Sequence, residues 1–276
     1  MVIQMAQKKA KVARRDDQYA KKISTKIWHE QPSEQNPYIA QQSRCHGYDL
    51  VELVKGRSYV EVLYLLFRSE LPTKEEAEIF EQLLISFINP GPRHPATRSA
   101  IVAGVGKTDP VHILPIALST LGGNFQGAGE VEPAVRFLRK NAKKSPKEVA
   151  LKLIEESTKP AEGDWSIAPG FGSYYGGVDL MAQQLAQQLA TLPGCGKLLM
   201  WGDELSNELQ SQQVGWLKTG VAAAVLADLG FLPFACAALY QLISAPGLLA
   251  HGLEYCKKPM TSYPFPEDKD YVIESD

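Results

Sequence analysis

The period of the apolar residues does most to limit what this chain can fold into. Tyr59, Val62, Leu63 and Leu66 recur at i, i+3, i+4 and i+7, and Phe80, Leu83, Leu84 and Phe87 repeat the spacing. That spacing lines one face of an α-helix, whereas a strand needs strict alternation. Pro72 ends the first element, and Thr73 with Glu76 then forms a capping box, in which the hydroxyl and the carboxylate each satisfy an otherwise orphaned backbone N–H. Ser145, Pro146 and Glu148 give a second start signal of the same kind. Further helices are predicted at about 96–105, 110–122, 131–141, 146–157, 178–191, 203–212, 216–229, 233–245 and 246–256. No window alternates with period two between turn signals, so the expected fold class is all-α.

Composition narrows the function classes. With 276 residues, 45% of them hydrophobic, the chain can build one sizeable core, or a large domain carrying a smaller one. A net charge of −2 gives no basic surplus, so no nucleic-acid partner is expected. No apolar run reaches the roughly 18 residues of a membrane span; the stretch 221–232 is interrupted by Asp228 and Gly230 and reads as a buried core helix. The N-terminus lacks the basic-then-apolar pattern of a secretory signal. Cys45, Cys195, Cys236 and Cys256 are widely spaced, so neither disulfides nor a metal site is expected, and a cytoplasmic location fits. Residues 1–26 are dense in Lys and Arg and read as a solvated tail or as a contact for an acidic partner. Residues 27–43 read as an extended arm, and 259–276, with three prolines and several aromatics, as a strap across a surface or a loose tail.

Four segments invite a chemical reading. Gly104-Val105-Gly106-Lys107-Thr108 is similar to the end of a phosphate-binding loop, but that motif needs glycine where Ile101 stands and a strand before it. The run from Gly122 to Gly129 and the run from Pro169 to Gly177 are glycine-rich loops that allow close backbone approach, and Ser173, Tyr174 and Tyr175 offer hydroxyls in the second. A nucleophile elbow would read Gly-x-Ser-x-Gly between strand and helix; here the glycine after Ser173 comes one position late. Of the five histidines, His112 and His251 fall in apolar helices and read as core residues. His94 sits with Arg93 and Arg98 in a loop stiffened by Pro90, Pro92 and Pro95, an arrangement suited either to an anion or to a structural ion-pair cluster. If an anion binds there, affinity should rise as His94 gains a proton near its ordinary pKa of about 6.5.

In order along the chain, these pieces resemble one family. Gly47-Tyr48-Asp49, the helix ending Tyr64-Leu65-Leu66, and Glu70-Leu71-Pro72-Thr73 resemble the opening of citrate synthases and citryl-CoA lyases, with Ser69 in place of a turn glycine. The stretch Leu121 to Glu130 resembles that family's first glycine loop, Pro169-Gly170-Phe171-Gly172 its second, and 227–231 and 247–254 its C-terminal helices. The resemblance spans roughly residues 44–256 and implies a citrate synthase-like helical fold. It implies a large domain over 44–130 and 216–258, a small domain over 131–215, and an active site between domains completed by a homodimer, leaving 1–43 as the tail and arm and 259–276 as the C-terminal strap read above.

Carried over residue by residue, the resemblance implies that the family's catalytic groups are replaced. Phe125 stands where a histidine would stabilise the acyl-CoA enol, Ser173 where a histidine would polarise the keto acid, and Thr219 where a carboxylate would remove the methyl proton. Tyr174 stands where an arginine is frequent, and Pro90 about where another histidine lies. General acid–base catalysis needs groups that titrate near the working pH, and none of these does. The preferred expectation is a protein that does not catalyse the ordinary condensation of acetyl-CoA with oxaloacetate but binds a ligand, or pairs with an active paralogue. The alternatives are a rewired acyltransferase or lyase acting on an acyl-CoA or polycarboxylate, and a structural dimerisation scaffold. The ligand-binding candidates are Arg93, His94, Arg98, Asn124, Gln126, Ser173, Tyr174 and Tyr175. No cofactor is required by this reading, and the ligand classes it allows are CoA, an acyl-CoA or a polycarboxylate.

Overall fold

The computed structural model describes residues 19, 22–161 and 163–274. The basic run of the N-terminal tail falls largely outside them. The chain forms two compact units, the first ending at Arg57 and the second starting at Ser58.

In the first unit, β1 (Trp28–Pro32) pairs antiparallel with β2 (Ala40–Cys45), and β2 with β3 (Tyr48–Asp49). The two-residue turn between β2 and β3 is His46-Gly47, both with positive φ (46° and 90°), as a tight hairpin turn requires. Asp49 then caps α1 (Leu50–Gly56) by accepting from the Val51 and Glu52 N–H groups at 2.9 and 3.1 Å. The segment read as an extended arm is thus largely a hairpin.

The second unit is helical: α2 (Tyr59–Arg68), α3 (Lys74–Phe87), α4 (Pro95–Val105), α5 (Pro110–Leu121), α6 (Val131–Asn141), α7 (Pro146–Glu156), α8 (Leu180–Ala190), α9 (Lys197–Leu209), α10 (Lys218–Asp228) and α11 (Pro233–Cys256). The capping box predicted at Thr73 and Glu76 forms, with hydrogen bonds of 2.8 and 3.2 Å. Ser58 and Glu61 make another at the start of α2, and Ser145 caps α7. The face expected for α2 is misphased: Tyr59 and Leu66 are exposed, and the buried residues of α2 are Val60, Leu63, Tyr64 and Leu65. A small three-stranded sheet of β4 (Trp165–Ala168), β5 (Phe171–Ser173) and β6 (Gly215–Trp216) interrupts the helices. Its short strands carry no alternation long enough to see.

Helix α10 fixes the centre of this unit. Every residue from Thr219 to Ala227 is buried, and the small side chains of its Gly-Val-Ala-Ala-Ala stretch let α6, α9 and α11 approach it. The two helices expected at 233–245 and 246–256 are one: Pro246 is accommodated inside α11. This helix is long and apolar enough to cross a membrane by length and composition, which the sequence reading missed by treating it as two. Here it packs against α4, α5, α6 and α10. Its crossing with α4 brings backbones into contact, since a Cβ on Gly104 would overlap the Gly252 carbonyl oxygen. Lys107, in the phosphate-loop lookalike, adopts φ +60° and donates from Nζ to the Cys256 and Lys258 carbonyls at 2.8 and 2.5 Å. It ties down the C-terminal end of α11, where a cation also suits the helix dipole.

Ser69, in the place of the family's turn glycine, holds φ +67° after α2. A side chain in that left-handed conformation is strained by about 1–2 kcal/mol. Ser69→Gly is therefore expected to stabilise the protein by about 1 kcal/mol, raising the melting temperature by about 2–4 °C in a scanning calorimeter.

Candidate functional site

The first glycine loop, the second glycine loop and the start of α10 meet at Glu130. Its carboxylate accepts from the Tyr174 hydroxyl at 2.5 and 2.6 Å, from Thr219 Oγ1 at 2.8 Å and from the Gln126 backbone N–H at 3.0 Å. Tyr174 follows directly on β5, and Thr219 lies in the first turn of α10. The β4–β5 turn is seated against α10 because Gly170 and Gly220 both lack a side chain: a Cβ on Gly220 would overlap the Gly170 carbonyl oxygen. The Leu217 N–H donates to that same carbonyl at 3.0 Å. Burial pushes the Glu130 carboxyl above the ordinary range, against the opposing effect of its hydrogen bonds, and burial together with the Glu130 contact pushes the Tyr174 phenol up as well.

Beside this cluster lies a cavity of about 710 Å³. Its walls come from the proline loop (Arg93, His94), the two glycine loops (Gln126, Tyr174, Tyr175), the N-terminus of α8 (Asp179), the first turn of α10 (Lys218, Thr219) and α11 (Tyr240). Gln126, with φ +54°, reaches Tyr175 Oη from its Nε2 at 3.2 Å. Asp179 caps α8 by accepting from the Ala182 N–H at 3.0 Å.

His94 does not behave as a free imidazole. Its Nδ1 accepts from the Ala96 N–H at 3.1 Å and so caps α4, which makes Nε2 the protonated nitrogen; that N–H donates to the Gln126 carbonyl at 2.9 Å. Burial holds its pKa below the ordinary histidine value, with the Lys218 charge adding to the effect and the Gln126 bond opposing it. With both ring nitrogens engaged in the protein, affinity for a carboxylate probe is expected to change by less than about twofold between pH 7.5 and 6, rather than to rise, measured by calorimetric titration. The sign for stability follows. With a depressed folded pKa, the His94 contribution is present above the unfolded value of about 6.5 and is lost as pH falls below it.

The structure sorts the other candidates. Arg93, Gln126, Tyr174, Tyr175 and Thr219 share the cavity with His94. Arg98 does not: it lines a separate open groove with Ser99, Val102, Ile116 and Tyr263. Phe125 packs its ring against Tyr174 at a centroid distance of 5.0 Å. Asn124 lies over Gly129. Ser173 is 4% exposed, and its Oγ has no hydrogen-bond partner among the described residues. Sequence reading missed Glu130, Lys218, Asp179 and Tyr240. Glu130 closed the first glycine loop and was visible there, but nothing in the sequence joined it to Tyr174, 44 positions away. Asp228 is also half-buried with a raised pKa, but its oxygens accept the Leu198 and Leu199 N–H groups at the start of α9, which is a structural cap. No group of three or more metal-binding side chains occurs among the described residues.

Comparison with known proteins bears on this arrangement. Residues 24–143 match the model of the citrate synthase C-terminal domain family, while no curated protein sequence matches the chain. A citryl-CoA lyase from Hydrogenobacter thermophilus superposes with a TM-score of 0.74 at 24% identity, over 92% of this chain and 95% of that one. An ATP citrate lyase from Methanothrix soehngenii, solved with citrate and coenzyme A, gives 0.67 at 16% identity; the match covers 94% of this chain but 44% of that longer one. Citrate synthase from Thermotoga maritima gives 0.52 at 16%, over 92% and 94%. Residues 24–143 are thus similar to the citrate synthase C-terminal domain family, and the chain shares the fold of citryl-CoA lyase and citrate synthase over most of its length.

Proposed function

We propose that this protein binds a small polycarboxylate or an acyl-CoA in the cavity beside Glu130 and does not catalyse the condensation of acetyl-CoA with oxaloacetate, acting as a ligand-binding or partner subunit. Glu130 carries the reading. It is the half-buried carboxylate hydrogen-bonded to Thr219, the position where the resemblance calls for a base, yet both of its oxygens are engaged by Tyr174, Thr219 and the Gln126 N–H. A base must accept a proton from substrate, and an acceptor held by three donors in its own protein serves first as a structural anchor. Thr219 and Phe125 offer nothing that titrates in the neutral range. Solved relatives supply the ligand class: one is a citryl-CoA lyase, and another was solved with citrate and coenzyme A.

A homodimer belongs to the same proposal. Val102 on α4, Val111 and Ile116 on α5, and Leu242 and Leu253 on α11 are exposed apolar side chains, and large apolar surface of this kind is normally covered. Light scattering at micromolar concentration should give twice the monomer mass. Calorimetric titration with citrate and with CoA tests the ligand reading: saturable binding of at least one supports it, and no heat from either overturns it.

A further inference from the structure

One cavity residue has no counterpart among the groups that the sequence pointed to. Lys218 opens α10, half-buried between Leu217 and Thr219, which are 2% and 1% exposed. It lines the cavity together with Arg93, and neither has an ion-pair or hydrogen-bond partner among the described residues. The carboxylates nearby are committed elsewhere. Asp179 caps α8, and Glu130 is held by Tyr174 and Thr219. His94, on the facing loop, is neutral and uses both ring nitrogens within the protein. The wall from which the family would present a carboxylate therefore presents an ammonium group instead. The N-terminus of this 11-residue helix also has no side-chain cap, so its partial positive charge adds to that of the ammonium.

We infer that Lys218 is the specificity-determining residue of the cavity and binds a carboxylate of a small polycarboxylate ligand. The inference rests on the cavity being a ligand site, as proposed above. A compact ammonium in the wall of a partly enclosed cavity suits a small anion that can enter whole. Arg93, exposed on the proline loop, is placed to take a second carboxylate nearer the solvent. An unpaired half-buried cation is costly to desolvate unless an anion joins it, so the ligand supplies what the fold leaves out.

The test is calorimetric titration of citrate and of CoA into wild type, Lys218→Met, Lys218→Arg and Arg98→Ala, with melting temperatures as the fold control. Lys218→Met should weaken citrate by about tenfold to a hundredfold, as for a lost hydrogen bond to a charged group. CoA affinity should move by less than about twofold, since no CoA phosphate is assigned to Lys218. Lys218→Arg should retain most citrate affinity, and Arg98→Ala, on the other groove, all of it. Because Lys218 pairs with nothing among the described residues, the melting temperature without ligand should not fall. If wild type binds citrate and Lys218→Met binds it as tightly, the assignment of Lys218 is wrong and the ligand site stands. If Lys218→Met loses CoA but keeps citrate, the cation serves a phosphate and the inference is overturned. If wild type binds neither probe, the ligand reading falls with it.

Discussion

Glu130→Leu is expected to destabilise the protein by about 3 kcal/mol or more, lowering the melting temperature by roughly 6–12 °C. The carboxylate satisfies the Tyr174 hydroxyl, the Thr219 hydroxyl and the Gln126 N–H together, so leucine orphans three donors in a partly buried place. Each unsatisfied donor costs about 1–3 kcal/mol, reduced where water reaches it. Glu130→Gln keeps one carbonyl acceptor and should lose about half as much. A pH profile separates the charge from the packing. Burial raises the folded pKa of Glu130 above its unfolded value, so the folded state holds the proton to higher pH. The stability from this group is full below the unfolded value of about 4.3 and is lost as pH rises through the folded one. The melting-temperature advantage of wild type over Glu130→Gln should therefore shrink from pH 4.5 to 7.5. A constant or growing advantage would show that Glu130 is not a half-buried carboxylate with a raised pKa.

Gly220→Ala should be more damaging still. The added Cβ would overlap the Gly170 carbonyl oxygen and come within 2.8 Å of the Gly170 Cα. Both are backbone atoms of a turn whose φ of +83° already requires glycine. Neither can swing aside as a side-chain tip would, so the β4–β5 turn must lift from α10. The cost is expected to exceed about 3 kcal/mol, at or beyond the usual overpacking range, read as a large drop in melting temperature or in soluble yield. Gly177→Ala is the control: it lies in the same loop, but an added Cβ there meets nothing within 4 Å. If Gly220→Ala melts within about 2 °C of wild type, the close seating of turn on helix is not what positions Tyr174 against Glu130.

The two glycines also show what was legible before the structure. The helices were readable because their signals are local: three- and four-residue spacing, a Thr73–Glu76 box, prolines at helix starts. The sheets were not, because β4 to β6 have two to four residues each and pair across the chain. Pro246 misled for a related reason: proline ends most helices, but here α11 continues through it while packed against α4, α5 and α6. At the site, the two glycine loops were found from composition and resemblance. Their meeting was not, because the bond from Tyr174 to Glu130 and that from Thr219 to Glu130 join residues 44 and 89 positions apart. Arg98 looked like a partner of Arg93 because it is near in sequence. One turn of helix is enough to face it onto a different groove. His94 looked titratable because its role as the cap of α4 is set by backbone direction, which spacing alone does not show.

We propose that this citrate synthase-like fold carries a ligand cavity without the ordinary condensation. Release of free CoA thiol from acetyl-CoA and oxaloacetate, followed under saturating substrates, tests it most directly. Without a titrating group at Phe125, Ser173 or Thr219, and with Glu130 held by three donors, turnover should be more than about a thousandfold below the roughly 10 per second of an ordinary enzyme. A rate within that thousandfold that disappears in Glu130→Gln would contradict the account and make Glu130 the working base.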